Sequence, residues 1–191
     1  MNYYESEAYT YFQNTVDINV SAVLSPFTDL LPDRARVLDA GCGSGRDVRF
    51  FKQQGFRVDA FDASFALVAL ASDHSGVTVT RQRFQDFHYD HLFDGIWCCA
   101  SLLHVPKAEL NHIMARLREQ LVPGGVLYVS FKHGDFEERL DGYRVFTDMN
   151  EVNLEIMFER LRMDVVRMWQ TPDYRPDNDT QWLNAVARRE L

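Results

Sequence analysis

Two periodicities alternate along this chain, and the switch between them recurs from residue 36 onward. Short apolar runs at Arg36–Asp39, Phe56–Phe61, Val77–Thr80, Phe93–Cys99 and Val126–Phe131 predict five strands, most of them apolar enough to be covered on both faces. Between them the helical period takes over. Asp47–Gln54 predicts a helix stopped by Gly55, and Ser64 predicts the cap of an apolar helix over Phe65–Ala71. Leu110, Ile113, Met114, Leu117 and Leu121 share one face of a helix beginning at Pro106. Thr147 is the expected cap of a helix carrying Leu154, Met157, Phe158 and Leu161.

The ends of the chain depart from this alternation. Tyr4, Ala8 and Tyr11 fall at helical spacing, as do Val20, Val23, Leu24 and Phe27, with Ser25-Pro26 reading as an N-cap and first helical residue. Asp164–Trp169 and Trp182–Ala187 follow each other with only a loop between, which predicts an antiparallel hairpin. Strand–helix alternation implies a mostly parallel sheet with helices on both faces, a three-layer α/β fold closed by that hairpin. At 191 residues one domain is expected: an N-terminal helical lid over 1–32, then halves at 33–131 and 132–191.

Composition narrows the partners. The net charge of −8 disfavours a phosphate backbone, and Arg188-Arg189 is the densest basic pair. No apolar run approaches a membrane span, and Met1-Asn2-Tyr3-Tyr4-Glu5 has no signal-peptide character. Cys42, Cys98 and Cys99 read as reduced packing residues, the adjacent pair pointing to opposite faces of a strand. The expectation is a cytoplasmic protein with a small-molecule substrate and neither a nucleic-acid nor a membrane partner, the oligomeric state left open.

Candidate chemistry concentrates at Val37-Leu38-Asp39-Ala40-Gly41-Cys42-Gly43-Ser44-Gly45. A strand ending in glycines and opening onto a helix lets backbone approach a ligand closely. The spacing Gly-x-Gly-x-Gly, with Arg46 next, differs from the dinucleotide fingerprint Gly-x-Gly-x-x-Gly, and Asp39 before the loop suits a ligand with a cationic group. Asp62, at the end of the second strand, can accept from both hydroxyls of a ribose.

With Gln85-Asp86-Phe87, Phe93–His104 and Leu121–Gly125, these segments resemble the successive motifs of class I S-adenosylmethionine-dependent methyltransferases. Gly-Arg-Asp after the loop and Trp182-Leu183-Asn184 are similar, more weakly, to small tellurite-resistance-type methyltransferases. The resemblance implies a Rossmann-like, seven-stranded sheet and S-adenosyl-L-methionine as cofactor. It implies that Asp39, Gly41, Cys42, Gly43 and Gly45 surround the methionine portion, that Asp62 and Ala63 hold the ribose, that Asp86 meets the adenine amino group, that Phe87 gives a backbone donor, and that Ala100 and Ser101 border the methionine end. Arg46 is a candidate partner for the cofactor's carboxylate.

On the acceptor side the candidates are fewer. His104, just past the fourth strand, and His133, after the fifth, are the candidate bases. Lys132, Arg139, Tyr143 and Arg144 are candidates for an anionic substrate, and Tyr4, Tyr9 and Tyr11 for lidding the pocket. His88, Asp90 and His91 lack a third ligand, so no metal is expected. The expected activity is methyl transfer to a small-molecule O, N, S or heavier chalcogen atom. An NAD(P)-dependent oxidoreductase and a non-catalytic S-adenosylmethionine-binding protein are the competing readings.

Overall fold

The computed structural model describes residues 3–142, 144–175 and 178–191, so Met1, Asn2 and the predicted clamp residue Tyr143 lie outside the described residues. Seven strands form one sheet: β1 (Arg36–Ala40), β2 (Arg57–Asp62), β3 (Thr80–Arg81), β4 (Phe93–Cys98), β5 (Leu121–Lys132), β8 (Met163–Pro172) and β9 (Gln181–Arg189), in the order β3-β2-β1-β4-β5-β9-β8. The first five run parallel, and β9 is antiparallel to both β5 and β8. The Rossmann-like seven-stranded fold with its terminal hairpin is therefore present. A separate ribbon, β6 (Glu138–Asp141) with β7 (Arg144–Thr147), fills the connection after β5.

Strand alternation divides the core between two faces. Leu38, Ile96, Cys98, Leu127, Val129, Leu183 and Ala185 point to one, where α6 (Lys107–Glu119) and α7 (Glu151–Arg160) pack. Val37, Trp97, Val126, Tyr128 and Val186 point to the other, against α3 (Ser21–Thr28) and α4 (Arg46–Gln53). There Trp97 and Tyr128 stack at 3.7 Å, and each satisfies its polar tip: Trp97 Nε1 donates to Asp47 and Tyr128 donates to Asn184. On the same side α5 (Phe65–Ser75) lies beside α4 through Val48 and Ala71. Two short helices, α1 (Tyr3–Ser6) and α2 (Ala8–Thr15), cross the end of the sheet where the parallel strands finish.

Several boundaries differ from the sequence expectation, each for a local reason. Asn150, not Thr147, caps α7, accepting from Asn153 N at 3.0 Å, because the Thr147 hydroxyl is fully buried and donates to Val105 O. Ser25-Pro26 lies inside α3, not at its start: burial of Val23, Leu24 and Phe27 extends the helix back to Ser21 and offsets the amide that Pro26 lacks. The third strand is only Thr80–Arg81, while Val77 and Val79 pack into the core instead of joining the ladder. Pro123-Gly124-Gly125 lies within β5 at a register irregularity opposite Phe93 and Gly95. Ser64 does cap α5, accepting from Leu67 N at 3.2 Å.

Gly45 carries much of the layer geometry. It sits at φ +76°, and a Cβ there would come within 2.9 Å of the Ala71 backbone, so glycine is what allows α4 to start directly against α5. Close helix packing is thus served by this glycine, with no need for a fourth at position 46. Gly45→Ala should combine left-handed strain with a backbone clash and destabilise the fold by about 2–4 kcal/mol, read as a lower urea midpoint at unchanged m-value.

Candidate active site

The site grows from the turn that joins β1 to α4. Gly41 N and Cys42 N both donate to Phe61 O, at 2.9 and 3.0 Å, so the loop is tied to β2 before it turns. Gly41 and Gly43 have φ of +76° and +55°. A Cβ on Gly41 would lie 2.6 Å from Ser101 Cβ, and one on Gly43 would lie 3.2 Å from the Tyr11 ring. Both glycines line the two adjoining cavities above the strand ends, of about 480 and 360 Å³. Cys42 lines the second; burial and the neighbouring carboxylates of Asp39 and Asp62 push its thiol well up, which makes it a neutral wall group and not a nucleophile.

Two of the carboxylates in these walls, Asp62 and Asp39, were expected from the sequence. Asp62 is held by backbone donors, Gly43 N to Oδ2 and Ser64 N to Oδ1, each at 2.9 Å, in the wall of the larger cavity with Ala63. Burial raises its pKa, and the backbone donors pull the other way. Asp39, the penultimate residue of β1, is 2% exposed and its Oδ2 has no hydrogen-bond partner. Burial, reinforced by the Asp47 carboxylate, pushes it well above the ordinary range. A buried, half-satisfied carboxyl is costly in an unliganded protein and well suited to a cationic ligand group.

Arg46 lines the same cavity, but its guanidinium already grips Asp47 through Nε and Nη2 at 2.7 and 2.9 Å. Ala100, at φ +50°, lines both cavities and donates its N–H to Ser130 Oγ. Ser101 forms part of the larger cavity and donates to Ala40 O at 2.7 Å, which ties β4 to the end of β1. Asp86 and Phe87 are placed otherwise than the resemblance implied. Asp86 is exposed and pairs with Arg83 at 2.7 Å, outside both walls. Phe87 N donates to Arg83 O, and its ring is buried, stacked on Phe61 at 5.4 Å. Gln82, Arg83, Phe84 and Gln85 form that wall instead. The tight turn at residues 83–87 brings the first part of the segment inward, which no local pattern in the sequence announced.

Above the junction of the two cavities sit Tyr4, Tyr11 and His104. His104 Nδ1 lies 2.9 Å from Val145 O; a carbonyl only accepts, so Nδ1 carries the proton and Nε2 is the free base. Tyr4 therefore donates its hydroxyl to Nε2, at 2.7 Å. Burial, foremost, with Arg144 and Lys132 nearby, lowers His104 to about 4, and burial raises Tyr4 to about 12. Glu5 and Tyr4 fasten this lid: the Glu5 carboxylate accepts from Phe65 N and Ala66 N at the start of α5, and Tyr4 O accepts from Ser64.

Other predicted residues lie elsewhere. His133 is turned to Glu151 on α7, at 3.1 Å, and lines neither cavity. Tyr9 is 64% exposed on the outer face of α2, opposite Tyr11. Arg139 is locked to Asp148 at 2.8 and 3.0 Å. Lys132 and Arg144 do reach the smaller cavity, together with Trp182, Asn184, Asp173 and Arg175, which were not foreseen. His88 pairs with Asp90 and His91 with Asp59, and among the described residues no group of three or more His, Cys, Asp or Glu is arranged to hold a metal ion.

This arrangement is that of an α/β protein with its cavities over the carboxyl ends of a parallel sheet, at the β1/β4 point where the strand order reverses and such folds bind ligands. Residues 37–125 match the family described as "Methyltransferase domain". The ubiquinone biosynthesis O-methyltransferase of Xanthomonas axonopodis pv. citri (strain 306) is 36% identical over 108 residues, 53% of this chain and 44% of the relative. Its counterpart in Xylella fastidiosa (strain 9a5c) is 38% identical over 104 residues, 50% of this chain and 41% of the relative. The matches thus span less than half the length of these curated relatives. Among solved structures, 1,6-didemethyltoxoflavin-N1-methyltransferase of Burkholderia thailandensis, with bound 1,6-didemethyltoxoflavin and S-adenosylhomocysteine, superposes with a TM-score of 0.75 at 25% identity, covering 98% of this chain and 87% of that one. Magnesium protoporphyrin IX methyltransferase of Synechocystis PCC 6803, with bound S-adenosylmethionine, shares the fold, with a TM-score of 0.75, 19% identity and 98% and 94% coverage. The chain is thus similar to S-adenosylmethionine-dependent methyltransferases over residues 37–125, just under half of its length, and shares their fold throughout.

The His104 geometry has a measurable consequence. Its folded pKa, about 4, lies below the ordinary histidine value of 6.5, so the unfolded state binds the extra proton first and this contribution to stability is lost as pH falls from 6.5 towards 4. Imidazole nitrogen NMR should show His104 as the neutral Nδ1–H form down to about pH 5, with Tyr4→Phe shifting the Nε2 resonance.

Proposed function

We propose that this protein transfers a methyl group from S-adenosylmethionine to a small-molecule nucleophile, an O, N, S or heavier chalcogen atom. The observation that carries this reading is the paired cavity itself, with the fixed acceptor Asp62 in one part and the unpartnered carboxylate oxygen of Asp39 in the other. The residues present suit the cofactor. Asp39 offers a buried oxygen for an ammonium, Asp62 an oriented carboxylate for vicinal hydroxyls, and Gly41 and Gly43 leave space that a Cβ would fill. When bound, the cofactor supplies an electrophilic methyl carbon on a sulfonium centre.

The chain's own residues then hold the acceptor near that carbon and exclude water, where much of the rate of such a displacement arises. Tyr11 and Tyr4 close the space over the glycines, and their ring faces suit a cationic ligand. The Tyr4–His104 pair, tied to Val145 O, provides a route for the proton of a protonated acceptor. Residues 1–32 act as the lid, 33–131 as the cofactor half and 132–191 as the acceptor half of one unit. The net charge of −8 and the recessed cavities favour a small acceptor over nucleic acid. Among the described residues no helix is long and apolar enough to cross a membrane, and the three free thiols fit a reducing, cytoplasmic setting.

S-adenosylhomocysteine, and not NADH, should raise the melting temperature, because only a ligand of the native state stabilises it; at 100-fold its Kd the gain is about 2.7 kcal/mol. Asp62→Ala should weaken S-adenosylhomocysteine binding by about 1–3 kcal/mol, measured by calorimetry on protein whose circular dichroism is unchanged. Stabilisation by NADH alone would return the assignment to an oxidoreductase, and cofactor binding with no turnover over a broad acceptor panel would favour a binding protein.

A further inference from the structure

The smaller cavity has two chemically different ends. Towards β1 and α4 it is acidic, with Asp39 and Asp47 around Arg46. Across β4, towards β5, β7 and the β8–β9 connection, it presents Lys132, Arg144 and Arg175. Three cations around one opening stand out in a chain of net charge −8.

Their partners differ. Arg175 is gripped by Asp173 at 2.9 and 2.6 Å, and the same carboxylate accepts from Trp182 Nε1 at 3.0 Å. Arg144 pairs with Asp141 on the exposed ribbon turn and lies 4.2 Å over the Tyr3 ring, and its charge acts on the Tyr4 hydroxyl. Lys132 has no carboxylate in ion-pair contact among the described residues, and its ammonium rests 4.0 Å over the ring of Phe146. The nearby Asp148 is already held by Arg139. Burial lowers the Lys132 pKa, and the positive charges of Arg139, Arg175 and Arg144 lower it further against the opposing charge of Asp148, so an incoming anion would favour the charged ammonium. Around these cations stand the rings of Tyr3, Phe146 and Trp182.

We propose that this end of the cavity is the acceptor subsite and that the acceptor is a small aromatic molecule bearing a carboxylate, its anionic group seated at Lys132 and Arg144 and its ring among Phe146, Trp182 and Tyr3. The inference rests on the methyltransferase reading and adds the acceptor class to it. With Arg144 already paired to Asp141, the one ammonium without an ion-pair contact, Lys132, matches a monoanion better than a dianion, which favours a carboxylate over a phosphate. Seated this way, the molecule extends from the ribbon towards Tyr4 and His104, the groups at the junction of the two cavities.

Calorimetry on protein saturated with S-adenosylhomocysteine tests this with four probes: benzoate, benzamide, phenyl phosphate and inorganic phosphate. Benzoate should bind at least about tenfold more tightly than its uncharged isostere benzamide, as expected for a charge-assisted contact, and more tightly than either phosphate. Lys132→Met should erase most of the benzoate preference, leave S-adenosylhomocysteine binding unchanged, and remove the salt dependence of benzoate binding; Arg144→Gln provides a second variant. Equal binding of benzoate and benzamide, no binding of either, or a preference that survives both substitutions would overturn the proposal, and tighter phenyl phosphate binding would overturn the carboxylate. Failure of S-adenosylhomocysteine to bind at the outset would instead defeat the methyltransferase reading.

Discussion

The left-handed glycine turn at the end of β1 is the constraint on which the other parts depend. Gly41 and Cys42 are tied to the Phe61 carbonyl, Gly43 to the Asp62 carboxylate, and Gly45 to the face of Ala71. The first two links join β1 to β2, the third orients the acid that faces the larger cavity, and the last seats α4 against α5. Side chains would block each approach, since a Cβ at Gly41 would meet Ser101 and one at Gly45 would meet backbone. A single short segment thus sets strand spacing, helix placement and the open floor of the site together.

Electrostatics around that turn trade stability for binding. Asp39 and Asp62 are both pushed upwards by burial, and Asp39 keeps an oxygen without a partner. Asp47, by contrast, is fully engaged by Arg46 and Trp97. The satisfied acid fastens α4 to the sheet; the unsatisfied one faces the cavity. Unpaired buried carboxyls destabilise a fold unless a ligand completes them, which is why such groups concentrate at binding sites.

The N-terminal helices and the ribbon close the other side. α1 offers few buried contacts of its own, so its position rests on Glu5 at the start of α5 and on the Tyr4–His104 bond. The ribbon supplies Val145 O to orient His104 and Arg144 to approach Tyr4. Lid and ribbon therefore meet at one imidazole, and their order is coupled through it.

Much of the fold was legible along the chain, because burial of a parallel sheet imposes apolar runs and helices impose their own period. The glycine loop, Asp39 and Asp62 were equally legible, since backbone conformation and strand-end position are local properties. Asp86 and Phe87 were misplaced because a turn at residues 83–87 decides which side chains face inward, and the turn is held by Arg83 O and Arg116 across space. His133 and Tyr9 were misplaced for a related reason: nearness in sequence to a strand end or an aromatic cluster does not say which face a side chain takes. Trp182, Asp173 and Arg175 reach the site only because β9 inserts between β5 and β8. By itself, then, the sequence determined the layered α/β class and the loop that meets the donor, both consequences of short-range periodicity and backbone freedom. The tertiary structure alone decided which distant charges and rings converge on the smaller cavity, because that convergence is made by strand order and not by spacing.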